Sequence, residues 1–90
     1  MAVAIVLINV VAHETNHIAE ELSAISGVSE VYSVAGNYDL VAIVRVNEND
    51  KLAELISDQM RRVSGIMRTE TLIAFRAYSQ HDLNSLFDMD

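Results

Sequence analysis

The 90-residue sequence contains no cysteine. Disulfides and thiolate metal sites are therefore excluded, and stability falls to the core and to any subunit interface. Basic residues are scarce: six Lys and Arg stand against thirteen Asp and Glu, a formal charge of −7. The mean field repels phosphate backbones and anionic membranes, so direct nucleic-acid binding is not expected. Arg61, Arg62, Arg68 and Arg76 fall in one region, where a solvated helix end and ion pairs with Asp58 or Glu70 account for them. Long apolar runs are missing too. Met1 to Val11 is apolar over about ten residues, half the roughly 20 that a bilayer span needs, and lacks a basic leader, so no membrane association is expected and a cytoplasmic location is the simplest reading. No Gly-x-Ser-x-Gly elbow, Gly-x-Gly-x-x-Gly loop or Walker lysine occurs, and no cofactor is implied. The strands carry none of the stacked aromatics of an RNA-recognition sheet.

Apolar side chain, by contrast, is plentiful, at 51% of residues with a mean hydropathy of +0.23. A chain of this size hides only about 60 to 65% of the surface its unfolded form exposes. That is too thin a core for so much apolar surface, which predicts burial of a large face by self-association.

The hydropathy pattern predicts one α+β domain over residues 1–90. Val3 to Val11 is apolar at odd and even positions and reads as a strand covered on both faces. From Glu14 to Ser26, Ile18, Leu22 and Ile25 recur at helical spacing, and Gly27 follows as a stop. Two strands, 28–35 and 40–46, flank a turn. Strict alternation in the first puts Val28, Glu30, Tyr32 and Val34 on one face, and its polar interruptions make it an edge; the second is nearly all apolar and central. Asp50 is the expected cap of a helix running to Val63, with Gly65 ending it. A last strand spans 66–78, and Ser79 with Asp82 starts a short C-terminal helix carrying Leu83, Leu86 and Phe87. The order β-α-β-β-α-β is the ferredoxin-like split βαβ pattern: a four-stranded antiparallel sheet with both helices on one face. The other face is dry only if a second sheet packs on it, as in a dimeric α+β barrel.

The turn Gly36-Asn37-Tyr38-Asp39 joins those two strands. Gly36 and Asn37 tolerate the positive φ of a tight hairpin, whereas Tyr38 and Asp39 are not required by it. The hairpin Val28-x-x-Val31-x-x-Val34-x-Gly36-x-Tyr38-Asp39-Leu40, followed by Gly65-Ile66-Met67-Arg68-Thr69-Glu70-Thr71 leading into the last strand, resembles the ligand-binding (RAM) domain of the Lrp/AsnC transcriptional regulators over nearly the whole chain. Full-length members of that family carry an N-terminal helix-turn-helix, so the chain looks like a stand-alone effector module. The resemblance implies a homodimer whose sheets face each other, rings of dimers that are commonly octamers, and an amino-acid effector bound where dimers meet. A DNA-binding Lrp/AsnC relative is the implied partner.

An amino acid offers a carboxylate, an ammonium and a side chain, so its receptor needs N–H donors, an acceptor and an apolar wall. The turn holds all three: amides near Gly36, Asn37 and Tyr38 for the carboxylate, Asp39 for the ammonium, and Tyr38 with Leu40 as wall. Thr69 and Thr71 add hydroxyls. Structural readings also exist for each. Gly36 satisfies the turn, Asp39 can close it by accepting nearby amides, Tyr38 can pack across a subunit contact, and the threonines suit a strand.

Two rival functions differ in kind. A small dimeric α+β-barrel oxygenase or isomerase would draw on His17, Tyr32 and Asp39, which no spacing unites. A regulatory or scaffolding subunit would need no small ligand. His13 and His17 stand at metal-sharing spacing, but His13 precedes the helix and no third ligand is evident, so no metal site is expected.

Overall fold

A computed structural model describes residues 1–80. The expected C-terminal helix from Ser79 therefore lies almost wholly outside the described residues. The elements are β1 (Ala2–Val10), α1 (Thr15–Ser23), β2 (Val28–Ser33), β3 (Leu40–Val46), α2 (Asn49–Glu54) and β4 (Ile66–Ile73). All strand pairs are antiparallel, in the order β2-β3-β1-β4. The ferredoxin-like α+β architecture follows as expected, with β2 at an edge and β3 and β1 central.

Alternation along the central strands divides the sheet into two unlike faces. Ala2, Ala4, Val6, Ile8 and Val10 of β1 and Leu40, Ala42 and Val44 of β3 are buried under the helices. Ile18 and Leu22 of α1, Leu52 of α2, and Leu55 and Met60 beyond it close that core. The opposite face carries Val3, Ile5 and Leu7 in register with Arg45, Ile43 and Val41, and no helix or strand among the described residues covers it.

Several expectations need correction. The first pairing slips between Val28 and Glu30, leaving Ser29 as the extra residue on β2. This bulge rotates Val28 onto the core side, where it is buried, while Glu30 and Tyr32 stay on the open face. Strict alternation could not foresee that, because a bulge restores the pattern one residue out of phase. The second helix begins one residue before Asp50, which lies in the first turn with no capping hydrogen bond from the preceding Glu48 side chain. It then widens into a π turn over Leu55–Gln59 and tightens into a 3₁₀ turn over Met60–Arg62. β4 ends at Ile73 rather than at Tyr78, although the Ala74 amide still pairs with the Val3 carbonyl at 2.9 Å.

Candidate functional site

The β2–β3 turn and the junction that leads into β4 meet at one end of the sheet. There the β1–β4 register shifts between Asn9 and Val10, opposite the extra residue Met67. The β1–β3 ladder ends at the same place, with Ile8 opposite Leu40, so the Val10 N–H, two residues on and facing the same side, has no strand partner, and an unpaired N–H in a partly buried place is costly. Asp39 supplies the missing acceptor: its Oδ2 receives the Val10 N–H at 2.9 Å and lies 3.5 Å from Asn9 Nδ2. Asn9 Nδ2 also donates to the Asn37 carbonyl at 3.0 Å. The Asp39 amide donates to the Ile8 carbonyl, and its carbonyl accepts from Val34. The carboxylate thus fastens the turn to the chain's own first strand.

Beyond that anchorage the tip is open. Gly36 has a φ of 127°, and Asn37 does not share the positive φ that its residue type allows. A Cβ built on Gly36 would find nothing within 4 Å. Among the described residues, the amides of Ala35, Gly36, Asn37 and Tyr38 donate to no protein acceptor. Four consecutive exposed N–H groups can receive a carboxylate or water.

Tyr38 reaches back over the open face and donates its hydroxyl to Glu70 Oε1 at 2.5 Å. This bond, with the negative charge behind it, holds the phenol above its ordinary pKa of 10. Glu70 was not expected here. It sits opposite Leu7, on the open face, whereas Thr69 and Thr71 sit opposite Ile8 and Val6 on the helix side. The turn's side chain therefore meets the residue between the two threonines. Leu40 is fully buried under the helices and presents no wall at the surface. The structure brings Gly36, Asn37, Tyr38 and Asp39 together with Glu70, and turns Leu40, Thr69 and Thr71 to the other side. Counting alternate residues back from Leu72 would have put Glu70 and Arg68 on the open face.

A second polar chain borders the open face at β2. Glu30 accepts from the Tyr32 hydroxyl and from Arg45 Nη1, the latter at 3.0 Å. These donors, Tyr32 first and Arg45 second, lower the Glu30 pKa below its ordinary 4.5, and the same carboxylate raises that of Tyr32. His17 pairs with Glu21 at 2.6 Å on the outer side of α1. His17, Tyr32 and Asp39 are thus engaged with three different partners and do not converge. No cluster of three metal-ligating side chains occurs among the described residues. No helix among them is long and apolar enough to cross a membrane.

Comparison with known proteins agrees with this architecture. The Lrp/AsnC ligand binding domain model matches residues 3–83. The crystal structure of TTHA0845 from Thermus thermophilus superposes with a TM-score of 0.82 at 40% identity, covering 89% of this chain and 100% of that one. The feast or famine regulatory protein from M. tuberculosis, solved with L-methionine, gives a TM-score of 0.72 at 28% identity over 89% of this chain and 54% of its own. An uncharacterized HTH-type transcriptional regulator of Pyrococcus horikoshii, PH1916, is 34% identical over 58 residues, which is 64% of this chain and 39% of that protein. The chain spans about two fifths of the length of such curated relatives. By the extent of the family match, this chain belongs to the Lrp/AsnC ligand binding domain family.

Proposed function

We propose that the chain is a non-enzymatic, amino-acid-sensing and self-associating module of transcriptional control. It pairs through its open sheet face, and its dimers assemble further through contacts that include the 36–39 tip. The observation that carries this reading is the tip itself: four amides without an acceptor among the described residues, tied down by the Asp39 anchor, with open space around Gly36. An exposed site of this kind binds a small zwitterion weakly until a second surface excludes water from it. A neighbouring copy supplies that surface, so the effector favours whichever assembly completes the site. The L-methionine complex of the M. tuberculosis relative supports an amino acid as the ligand class. The sheet's apolar rows and half-exposed Tyr32 and Leu72 support dimerisation. Its place is the cytoplasm, where a helix-turn-helix relative makes the DNA contacts that a chain of charge −7 does not.

The test is calorimetry against the twenty common L-amino acids, with sedimentation of the same samples. We expect at least one amino acid to bind and to shift the assembly; no heat and no shift would remove the proposal. A ligand-free scaffolding subunit is the second reading, favoured by the engagement of Asp39 with its own chain. Ring assembly indifferent to every amino acid, together with capture of a helix-turn-helix relative, would select it.

A further inference from the structure

We propose that Asn9 is a positioning residue for the tip: by holding the Asn37 carbonyl it aims the Tyr38 amide outward, and that amide receives the carboxylate of the effector. The inference rests on the effector reading above and names one donor among the four amides.

The end of β1 holds the turn at three successive residues. The Ile8 carbonyl takes the Asp39 N–H at 2.9 Å, Asn9 Nδ2 donates to the Asn37 carbonyl at 3.0 Å, and the Val10 N–H donates to Asp39 Oδ2 at 2.9 Å. The middle contact differs in kind. Ile8 and Val10 act through backbone groups, which their side chains do not supply, whereas Asn9 acts through its side chain alone. Every other residue of β1 is Ala, Val, Ile or Leu, so packing gives no reason for an amide at this position. Both atoms facing Asn9 Nδ2, the Asn37 carbonyl oxygen and Asp39 Oδ2 at 3.5 Å, are acceptors, which fixes the end of the side-chain amide turned to them.

The peptide bonds of the described residues are trans, and a trans unit points its N–H opposite to its carbonyl. With the Asn37 carbonyl drawn to β1, the Tyr38 N–H is directed away from β1, where no protein acceptor stands. The other three amides of the tip lack this restraint. Their peptide carbonyls, those of Val34, Ala35 and Gly36, accept no hydrogen bond among the described residues, and such a unit can turn over as it does between turn types. A donor already aimed binds without the cost of ordering it. Asp39 Oδ2 lies on the Asn9 side of the turn, so the fold keeps that oxygen across the peptide from the outward N–H.

The experiment uses the full chain and the amino acid that binds it most tightly among the twenty. Its α-carboxamide, in which a neutral amide replaces the carboxylate, is the second probe. Asn9→Ala and Asn9→Leu change no charge, and leucine suits the apolar strand. Each is expected to weaken the amino acid about 10-fold and the carboxamide less, because a hydrogen bond to a carboxylate is about twice as strong as one to a neutral carbonyl. In nuclear magnetic resonance of the parent chain, adding the amino acid is expected to move the Tyr38 amide proton more than those of Ala35, Gly36 and Asn37. A purely structural contact would weaken both probes alike, so the inference is overturned if both variants keep the parent's preference between them. It is equally overturned if any of the other three amide protons moves most. Failure of the parent chain to bind any amino acid would instead overturn the effector reading on which the inference rests.

Discussion

Gly65 and Gly36 head two junctions at the same end of the sheet, and both adopt a positive φ, 95° and 127°. Each junction also holds one amide at the end of β1. The Gly65 carbonyl takes the Val11 N–H at 2.9 Å, and Asp39, three residues after Gly36, takes the Val10 N–H at the same distance. Their surroundings differ completely. A Cβ on Gly65 would come within 2.7 Å of Ile18 Cδ1, a side chain at the centre of the core, whereas one on Gly36 would meet nothing. Packing and backbone both demand the first glycine; backbone alone demands the second. The same letter in the sequence therefore marks a joint of the core in one place and an open, solvent-facing edge in the other.

Gly65→Ala tests the contrast most severely. Left-handed strain plus the displacement of Ile18 should cost about 3 kcal/mol, read from denaturant unfolding at fixed protein concentration. Asp39→Ala should follow at about 2 kcal/mol, because it leaves the Val10 amide unpaired in a partly buried place. Gly36→Ala should cost only about 1 kcal/mol, the backbone component alone. Equal losses at the two glycines would break the comparison. The smallest effect concerns Tyr38. Its pKa is raised in the folded chain, so the tie to Glu70 contributes fully below the unfolded value near 10 and is lost as pH rises through the folded one. A spectrophotometric phenol titration should show late-ionising tyrosines, with one of them lost in Tyr38→Phe and returned to normal in Glu70→Gln.

Much of this contrast was legible in the sequence, and the losses have identifiable physical causes. Near-continuous apolar runs in 3–11 and 40–46 are enough to define the central strands, since a short run apolar on both faces and rich in Val and Ile fits little else. The Ser29 bulge escaped because Val28 fits either face chemically. The π turn at Leu55–Gln59 escaped because its apolar spacing also satisfies a plain α-helix. At the tip, the residue types pointed to the right turn but not to the division of labour within it. Asp39 has the chemistry to serve a ligand or a backbone amide, and only the end of the β1–β3 ladder at Ile8, two residues short of Val10, decides which it meets first. Glu70 read as an ion-pair partner for an arginine until strand parity brought it beneath Tyr38. Leu40 read as a ligand wall because it follows Asp39, yet one step along a strand reverses its direction.

The unpaired amides of the tip also make the chain its own reporter. Amides 35 to 38 should exchange hydrogen with water near the rate of an unstructured peptide, while those of Val10 and Val11 should exchange only when the end of the sheet opens. Slowed exchange confined to the turn would register occupancy, and slowed exchange at all of these sites would register tightening of the fold. Two clocks at one end of the sheet thus separate the arrival of a ligand from its effect, without any label attached to the protein.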